Sequence, residues 1–190
     1  MIQLLTALLI AAPTAHATPA EVLIIRHAEK PAGVGEDEGS DLSPRGFERA
    51  NALVGLFTKD SRVLSFGTPV AIYAGSPKKA DGSIRPLQTI QPTAAALGLT
   101  PITKFESKDY DSMISEVMTS KEYDGKTVLV SWAHDEIPAM AHDFGIKKSE
   151  VPKWKGEIFD RVWRIDFDAN GDVTDFEDLP QRLLPGDSND

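Results

Sequence analysis

Three short runs of aliphatic and β-branched residues set the architecture that this chain can adopt. They occupy residues 21–25 (EVLII), 70–74 (VAIYA) and 127–132 (TVLVSW). Runs of this length without polar alternation are typical of strands that are buried on both faces of a sheet. Such strands are usually parallel and covered by helices, because the crossover between two parallel strands is commonly a helix. We therefore predict three parallel strands that end near residues 25, 74 and 132.

Helical patterns fill the spaces between these runs. Ser43 and Pro44 are typical of an N-cap and a first helical residue. A second helix is predicted from about residue 86 to residue 97, where Gly98 ends it, and apolar residues at three- and four-residue spacing mark a third over 110–117. A short helix is predicted after His134.

The C-terminal part of the chain has a different pattern. Residues 162–167 and 173–176 flank an Asn-Gly turn, which predicts an antiparallel hairpin. The predicted fold class is therefore α/β, a three-layer sandwich with a mostly parallel central sheet and an antiparallel C-terminal hairpin. The polar tail from Gly186 is expected to be frayed.

The N-terminus resembles a secretory signal. Residues 2–12 form an apolar run that is shorter than the about 20 residues of a membrane span, and residues 15–17 (AHA) supply a small-x-small cleavage site. This predicts a signal peptide over residues 1–17, cleavage after Ala17, and one periplasmic or secreted domain over residues 18–190 with no membrane anchor. The segment before the run has no Lys or Arg, so a buried N-terminal strand or helix of a cytoplasmic protein is the alternative.

Composition narrows the chemistry. The chain has no Cys, which excludes thiolate catalysis and Cys-based metal sites. Its net charge is -9 and its longest basic runs are Lys pairs, so nucleic acid is not an expected partner. An anionic ligand would need a few cations gathered in three dimensions against this background, which makes individual Arg and His residues informative.

Two Arg and two His residues fall where a parallel sheet places its ligands. Arg26 and His27 follow the first strand, His134 follows the third, and Arg85 begins the helix after the second. Ligands of such sheets bind beyond the carboxyl ends of the strands. Guanidinium groups match phosphate oxygens, and a neutral imidazole can attack phosphorus and carry the phosphoryl group. The pattern therefore predicts a phosphate pocket.

These residues lie in four motifs that resemble those of the histidine phosphatase (phosphoglycerate mutase-like) superfamily. The first motif, residues 23–29 (LIIRHAE), is similar to the family's strand with its RHG or RHAE signature. The second, 42–46 (LSPRG), is similar to LTxxG, and the third, 85–89 (RPLQT), is similar to RxxQT. The fourth, 128–134 (VLVSWAH), is similar to the strand before the family's second histidine. They occur in the family's order. A single Arg-His pair is a weak signal, whereas four ordered motifs are specific.

The resemblance implies an enzyme that hydrolyses a small phosphate ester without a metal or another cofactor. It implies that His27 becomes phosphorylated, that Arg26, Arg85 and His134 are catalytic and bind the phosphate, and that Glu29 is among the substrate-binding residues. The sequence departs from the family in two places. The loop over residues 75–84 is longer than the family's SPxxR link, and Asp135 stands where the family usually has Gly.

The sequence does not identify the proton donor to the leaving group. That role needs a carboxylic acid within hydrogen-bond reach of the ester oxygen. Asp135 is the first choice, because one branch of the family resembled here has an acid directly after its second His. Glu136 and Glu106 are the alternatives. Without a placed acid, turnover would be limited to good leaving groups such as phosphohistidine or aryl phosphates.

Two metal-binding interpretations compete with this one. Residues 166–177 match the calcium loop of an EF-hand, but an EF-hand needs a helix on each side and the upstream residues favour a strand, so an acidic hairpin is preferred. A zinc site built on His27, His134 and His142 lacks an HExxH-type spacing.

Three functions follow, in order of preference. The first is an exported histidine phosphatase, the second a catalytically silent phosphate-binding protein on the same fold, and the third a calcium-dependent surface interaction module. Trp154 and residues 148–160 are predicted to form either a lid over the pocket or packing at the sheet edge. No motif specifies the leaving group of the substrate.

Overall fold

The structure is a computed structural model that describes residues 18–35, 39 and 41–189. The predicted signal peptide, residues 1–17, lies outside the described residues. Of the helices within the described ranges, none has the length and apolar character that crossing a bilayer requires.

A five-stranded sheet forms the centre of the molecule in the order β2-β3-β1-β4-β5. Strand β1 pairs in parallel with β3, which pairs in parallel with β2, whereas β1 and β4 and then β4 and β5 pair antiparallel. This confirms the predicted α/β class, with a mostly parallel sheet and an antiparallel C-terminal hairpin. The strands are β1 Glu21–Arg26, β2 Ala71–Ala74, β3 Thr127–Trp132, β4 Arg161–Phe167 and β5 Val173–Pro180.

Within the described residues, four α-helices cover the sheet. They are α1 Pro44–Lys59, α2 Arg85–Leu97, α3 Tyr110–Thr119 and α4 Ile137–Asp143, and a 3₁₀ turn spans Lys121–Tyr123. The local signals act as predicted: the Ser43 hydroxyl accepts a hydrogen bond from the Gly46 N–H at 3.1 Å, and Gly98 ends α2 with a φ of 67°. Ile102 forms a single parallel bridge with Tyr73 of β2.

Strand β1 is buried on both faces, so it divides the core into two layers. Leu23 and Ile25 pack with residues of α1 and α2 on one face. Val22 and Ile24 pack with residues of α3 and α4 on the other. Each fully buried aliphatic side chain of this kind stabilises the fold by about 1.5–3 kcal/mol. The continuous apolar run in the sequence is therefore explained by two helical layers.

The acidic segment 166–177 belongs to the β4–β5 hairpin. The Asp168 carboxylate accepts hydrogen bonds from the N–H groups of Asn170 at 2.8 Å and Asp172 at 3.0 Å, which closes the turn. Strands flank this turn on both sides, so the helices of an EF-hand are not formed and that interpretation is wrong.

The chain after Gly186 is anchored, contrary to the expected fraying. The Asp187 carboxylate accepts hydrogen bonds from the N–H groups of Leu183 and Leu184, at 2.8 and 3.0 Å. Ser188 donates from its N–H and its hydroxyl to Asp160. The tail is therefore folded back onto the body of the domain.

Candidate active site

The carboxyl ends of β1 and β3 bring two motifs together. Arg26 pairs with Trp132 in the parallel register, and the His27 N–H donates to the Trp132 carbonyl at 3.0 Å. His134 follows two residues after Trp132. The sheet therefore places His27 and His134 at the same edge, as expected for strands that run in the same direction.

The first turn of α2 is joined to this edge through Thr89. The Ala28 N–H donates to the Thr89 hydroxyl at 2.8 Å, and that hydroxyl donates to the Arg85 carbonyl at 2.8 Å. Arg85 is fully buried at the start of the helix. Although the loop before Arg85 is longer than the family's link, the Thr89 hydroxyl connects Arg85 to Ala28, the residue that follows His27.

One hydrogen bond fixes the orientation of the His27 ring. Its Nδ1 lies 2.7 Å from the Ala28 carbonyl oxygen. A carbonyl only accepts, so Nδ1 carries the proton and the imidazole lone pair lies on Nε2. The ring is 1% exposed and packs beside Phe159, with the two ring centroids 6.1 Å apart. The arrangement fixes the ring so that Nε2 is the nucleophilic nitrogen when the imidazole is neutral.

The segment before β4 holds Arg26. Arg26 Nη1 donates to the carbonyls of Gly156 and, at 3.2 Å, Ile158. The Arg26 guanidinium carbon lies 3.9 Å from the centre of the Phe159 ring, a cation–π distance. A Cβ atom at Gly156 would lie 3.3 Å from His134 Nε2. This segment therefore borders both Arg26 and His134.

Trp154 attaches residues 148–160 to the central sheet. Its ring centroid lies 4.9 Å from that of Trp163 on β4, and its side chain is buried. The segment therefore packs on the core face of β4, an inner strand of the sheet, and it borders the predicted pocket through Gly156. Sequence reasoning singled out Trp154 but not the carbonyls that orient Arg26.

The Arg85 guanidinium faces the loop after β1. Its Nη1 donates to the Gly39 carbonyl at 3.0 Å and its Nη2 to the Gly35 carbonyl at 3.2 Å. Gln88, one turn along α2, accepts from the Leu42 N–H at 2.9 Å. The start of α2 thus organises the loop that lies above the strand ends.

Glu29 is engaged by two guanidinium groups. Its carboxylate accepts from Arg49 at 2.8 Å and from Arg45 at 3.2 Å. Arg49 is buried and also donates to Asp187 at 2.7 Å and to Gln181 at 2.9 Å. The predicted substrate-binding residue Glu29 is therefore placed in an ion-pair network that ties the segment after His27 to the C-terminal tail.

Asp187 and Arg49 are both stabilised in their charged forms by this network. Burial raises the pKa of Asp187, but hydrogen bonds from Arg49, Leu184 and Leu183 outweigh burial and lower the pKa to about 2. Burial lowers the pKa of Arg49, but the Asp187 and Glu29 carboxylates outweigh it, so the net shift is upward. Asp187 and Arg49 are therefore both charged at neutral pH.

The three candidate acids differ in their surroundings. Asp135 is exposed and directly follows His134. Glu136 is buried and its carboxylate accepts from the Lys108 ammonium. Glu106 is exposed, and its backbone forms an isolated β-bridge with Ser76. Asp135 is thus the candidate that is both adjacent to His134 and not held by a lysine.

The third histidine of the zinc interpretation is engaged elsewhere. His142 lies in α4, and its Nδ1 is 3.1 Å from the Ile146 carbonyl. Across the described residues no group of three or more His, Asp or Glu side chains has the arrangement of a metal site.

Solved structures resemble this chain over most of its length. The α-ribazole phosphatase of Shigella flexneri matches with a TM-score of 0.62 and 12% identity, over 86% of this chain and 98% of that chain. The chain has a phosphoglycerate mutase-like fold. A mycobacterial glucosyl-3-phosphoglycerate phosphatase matches this fold with a TM-score of 0.56 and 12% identity, over 87% of this chain and 99% of that chain.

A solved phosphoglycerate mutase shares this fold. That of Plasmodium falciparum matches with a TM-score of 0.58 and 13% identity, over 90% of this chain and 97% of that chain. No protein-family model and no curated protein sequence matches the chain. Because the identities are low, the likeness establishes the fold, and the activity is argued from the site.

Proposed function

We propose that this protein is a metal-independent phosphomonoesterase in which His27 is the nucleophile. The observation that carries the proposal is the hydrogen bond from His27 Nδ1 to the Ala28 carbonyl, which puts the lone pair of a buried neutral imidazole on Nε2. That imidazole lies beside Arg26 and at the strand edge that bears His134. The solved structures that share the fold include proteins named as phosphatases, which supports the proposal.

The reaction has two displacements at phosphorus. In the first, His27 Nε2 forms a bond to phosphorus, the bond from phosphorus to the ester oxygen breaks, and Asp135 gives its proton to that oxygen. In the second, water attacks the phosphohistidine, the phosphorus–nitrogen bond breaks, and the water proton passes to Asp135. The alcohol and inorganic phosphate are released, and His27 regains its neutral form.

The two guanidinium groups and His134 stabilise the charge on the transferred phosphoryl group. Arg26 is held by the Gly156 and Ile158 carbonyls, so it is oriented before the substrate arrives. Arg85 currently donates to the carbonyls of Gly35 and Gly39. Phosphate binding replaces these neutral acceptors by charged ones, which form the stronger hydrogen bonds. The hydrogen bonds from Arg85 to Gly35 and Gly39 are therefore lost when phosphate binds.

We also propose that the mature protein is exported. The support is the sequence pattern of residues 1–17. Thr18, the first described residue, is buried, and its hydroxyl donates to the Asp168 carbonyl at 3.2 Å. Cleavage after Ala17 would therefore leave the contacts of the described domain in place.

The experiment is hydrolysis of an aryl phosphate by residues 18–190 in the presence of EDTA between pH 4 and 8. We expect turnover in the wild type and in His142→Ala, whose histidine lies in α4, and none in His27→Ala. Turnover that EDTA abolishes, or that survives His27→Ala, would contradict the proposal. Vanadate binding without any turnover would instead favour a catalytically silent phosphate-binding protein on this fold.

A further inference from the structure

A small cavity lies between residues 153–158 and the β4–β5 hairpin. Its volume is about 230 Å³. Its apolar wall is formed by Trp154, Ile158 and Trp163, of which the two tryptophans pack against each other. The cavity is below the range of about 300–1,000 Å³ for a complete drug-sized ligand. Its size therefore fits one group of a larger ligand.

The charged residues around this cavity are mostly cationic. They are Lys153, Lys155, Arg161 and Asp178. Arg161 Nε donates to the Asp178 carboxylate at 2.7 Å, so these two charges offset each other. Neither Lys153 nor Lys155 has an ion-pair partner within the described part of the chain. The cavity thus presents two uncompensated ammonium groups in a protein whose net charge is -9.

The cavity adjoins the active site through consecutive residues. Lys155 lines the cavity, and the next residue, Gly156, borders His134 and accepts from Arg26. Consecutive Cα atoms are about 3.8 Å apart. Ile158, another lining residue, also accepts from Arg26 through its carbonyl. Ile158 therefore belongs both to the cavity wall and to the residues that orient Arg26.

The wall that carries the lysines is ordered by its own hydrogen bonds. The Ile158 N–H donates to the Lys155 carbonyl at 3.0 Å, which closes a turn. Trp154 Nε1 donates to the Ile158 carbonyl at 2.9 Å. The cavity is therefore formed before a ligand arrives, and binding there does not have to order this segment.

We propose that this cavity is a leaving-group subsite that binds a second anionic group of the substrate. The substrate class is then a phosphomonoester whose leaving group carries a carboxylate or a further phosphate near an apolar body. Lys153 and Lys155 bind the anion, and Trp154 and Ile158 contact the apolar part. This inference rests on the proposed phosphatase function, because it assigns specificity to the same site.

The first test compares two esters of similar size, carboxyphenyl phosphate and carbamoylphenyl phosphate. We expect the wild type to prefer the anionic ester by about tenfold in kcat/KM, the size of one favourable charge contact. Lys153→Glu with Lys155→Glu removes or reverses this preference, which is measured as the ratio of the two kcat/KM values. Lys147→Glu with Lys148→Glu is the control, because it changes the net charge equally at exposed positions outside the cavity.

The second test measures binding without chemistry. Tryptophan fluorescence reports the affinities of phosphonobenzoate and phenylphosphonate, neither of which is hydrolysed. The inference requires tighter binding of phosphonobenzoate to the wild type and equal binding of the two compounds to the Lys153/Lys155 variant. Turnover of both esters at equal rates overturns the inference alone, whereas retained phosphonobenzoate preference without turnover overturns the phosphatase proposal alone. Equal binding of the two phosphonates to the wild type also overturns the inference.

Discussion

Gly46 in the first turn of α1 packs directly on the backbone of Glu29, two residues after His27. A Cβ atom at position 46 would lie 2.3 Å from the Glu29 carbonyl oxygen and 3.1 Å from its nitrogen. Atoms cannot approach this closely, so any side chain at Gly46 forces either α1 or the segment after His27 to move. The glycine therefore sets the distance between the helix and the predicted nucleophile.

Gly46→Ala should thus destabilise the fold and impair activity together. We expect a loss of about 2 kcal/mol or more in the free energy of unfolding, the range of severe overpacking. Gly55→Ala in the same helix is the matched control, because a Cβ atom at position 55 would meet no neighbouring atom within 4 Å. That change should stabilise the protein by about 0.5–1 kcal/mol. Urea unfolding of both variants measures the difference, and equal effects would contradict the packing argument.

The ion pairs of Asp187 make stability depend on pH in the acid range. Its folded-state pKa of about 2 lies below the ordinary value of 3.8, so the folded state favours the carboxylate. The stabilisation is fully present above the ordinary value and is lost as pH falls towards the folded value. Asp187→Asn should cost about 2 kcal/mol at pH 7 and little near pH 2.

The control for Asp187→Asn is Leu183→Ala, which removes apolar packing of the same tail but no contact with a carboxylate side chain. We expect its effect on stability to be nearly constant over the same pH range. An Asp187→Asn cost that is equal at pH 7 and pH 2.5 would show that the charge of Asp187 does not stabilise the tail.

A buried pair of carboxyl groups has the opposite effect, because it lowers the stability of the fold as the pH rises. Glu21 and Asp166 are paired across β1 and β4, and burial raises the pKa of each. The folded state therefore keeps protons that the unfolded state has lost, so stability falls as pH rises above the ordinary carboxyl range. Asp166→Asn should raise the thermal midpoint at pH 7 relative to the wild type, with a smaller gain at pH 4. A gain that is independent of pH would contradict this explanation.

Asp135 should matter most for substrates with poor leaving groups. Proton donation by a side chain typically contributes about 10²–10⁴-fold. Asp135→Asn should therefore reduce kcat by about that factor for an alkyl phosphate and by much less for a nitrophenyl phosphate, whose leaving group needs no proton. Glu136→Gln, which changes the carboxylate held by Lys108, should leave this dependence on the leaving group unchanged. A uniform loss in Asp135→Asn across both esters would assign the proton donor elsewhere.

Local signals were sufficient to predict the elements of this fold. The apolar runs become β1, β2 and β3, Ser43 caps α1, and Gly98 ends α2. Each of these depends on residues close in sequence, and the convergence of His27 and His134 follows from the common direction of β1 and β3. The parallel sheet therefore allowed the sequence to indicate where the site lies.

Contacts between distant residues could not be predicted in the same way. Arg49 and Asp187 are 138 positions apart. No sequence spacing predicts a contact between a residue of α1 and a polar tail whose composition favours fraying. The carbonyls of Gly156 and Ile158 that orient Arg26 are backbone groups, which leave no signature in the side-chain pattern. Thr89, by contrast, belongs to the RPLQT motif and could have been recognised from it.

If His27 carries the phosphoryl group during turnover, the phosphohistidine intermediate can be detected on the protein. Rapid acid-free quenching of wild-type protein during turnover of a phosphate ester, followed by peptide mass spectrometry, should find phosphate on His27 and on no other residue. The label should be acid-labile and alkali-stable, and it should be absent from His27→Ala. Turnover with no phosphorylated His27, or with phosphate on another side chain, would contradict the account.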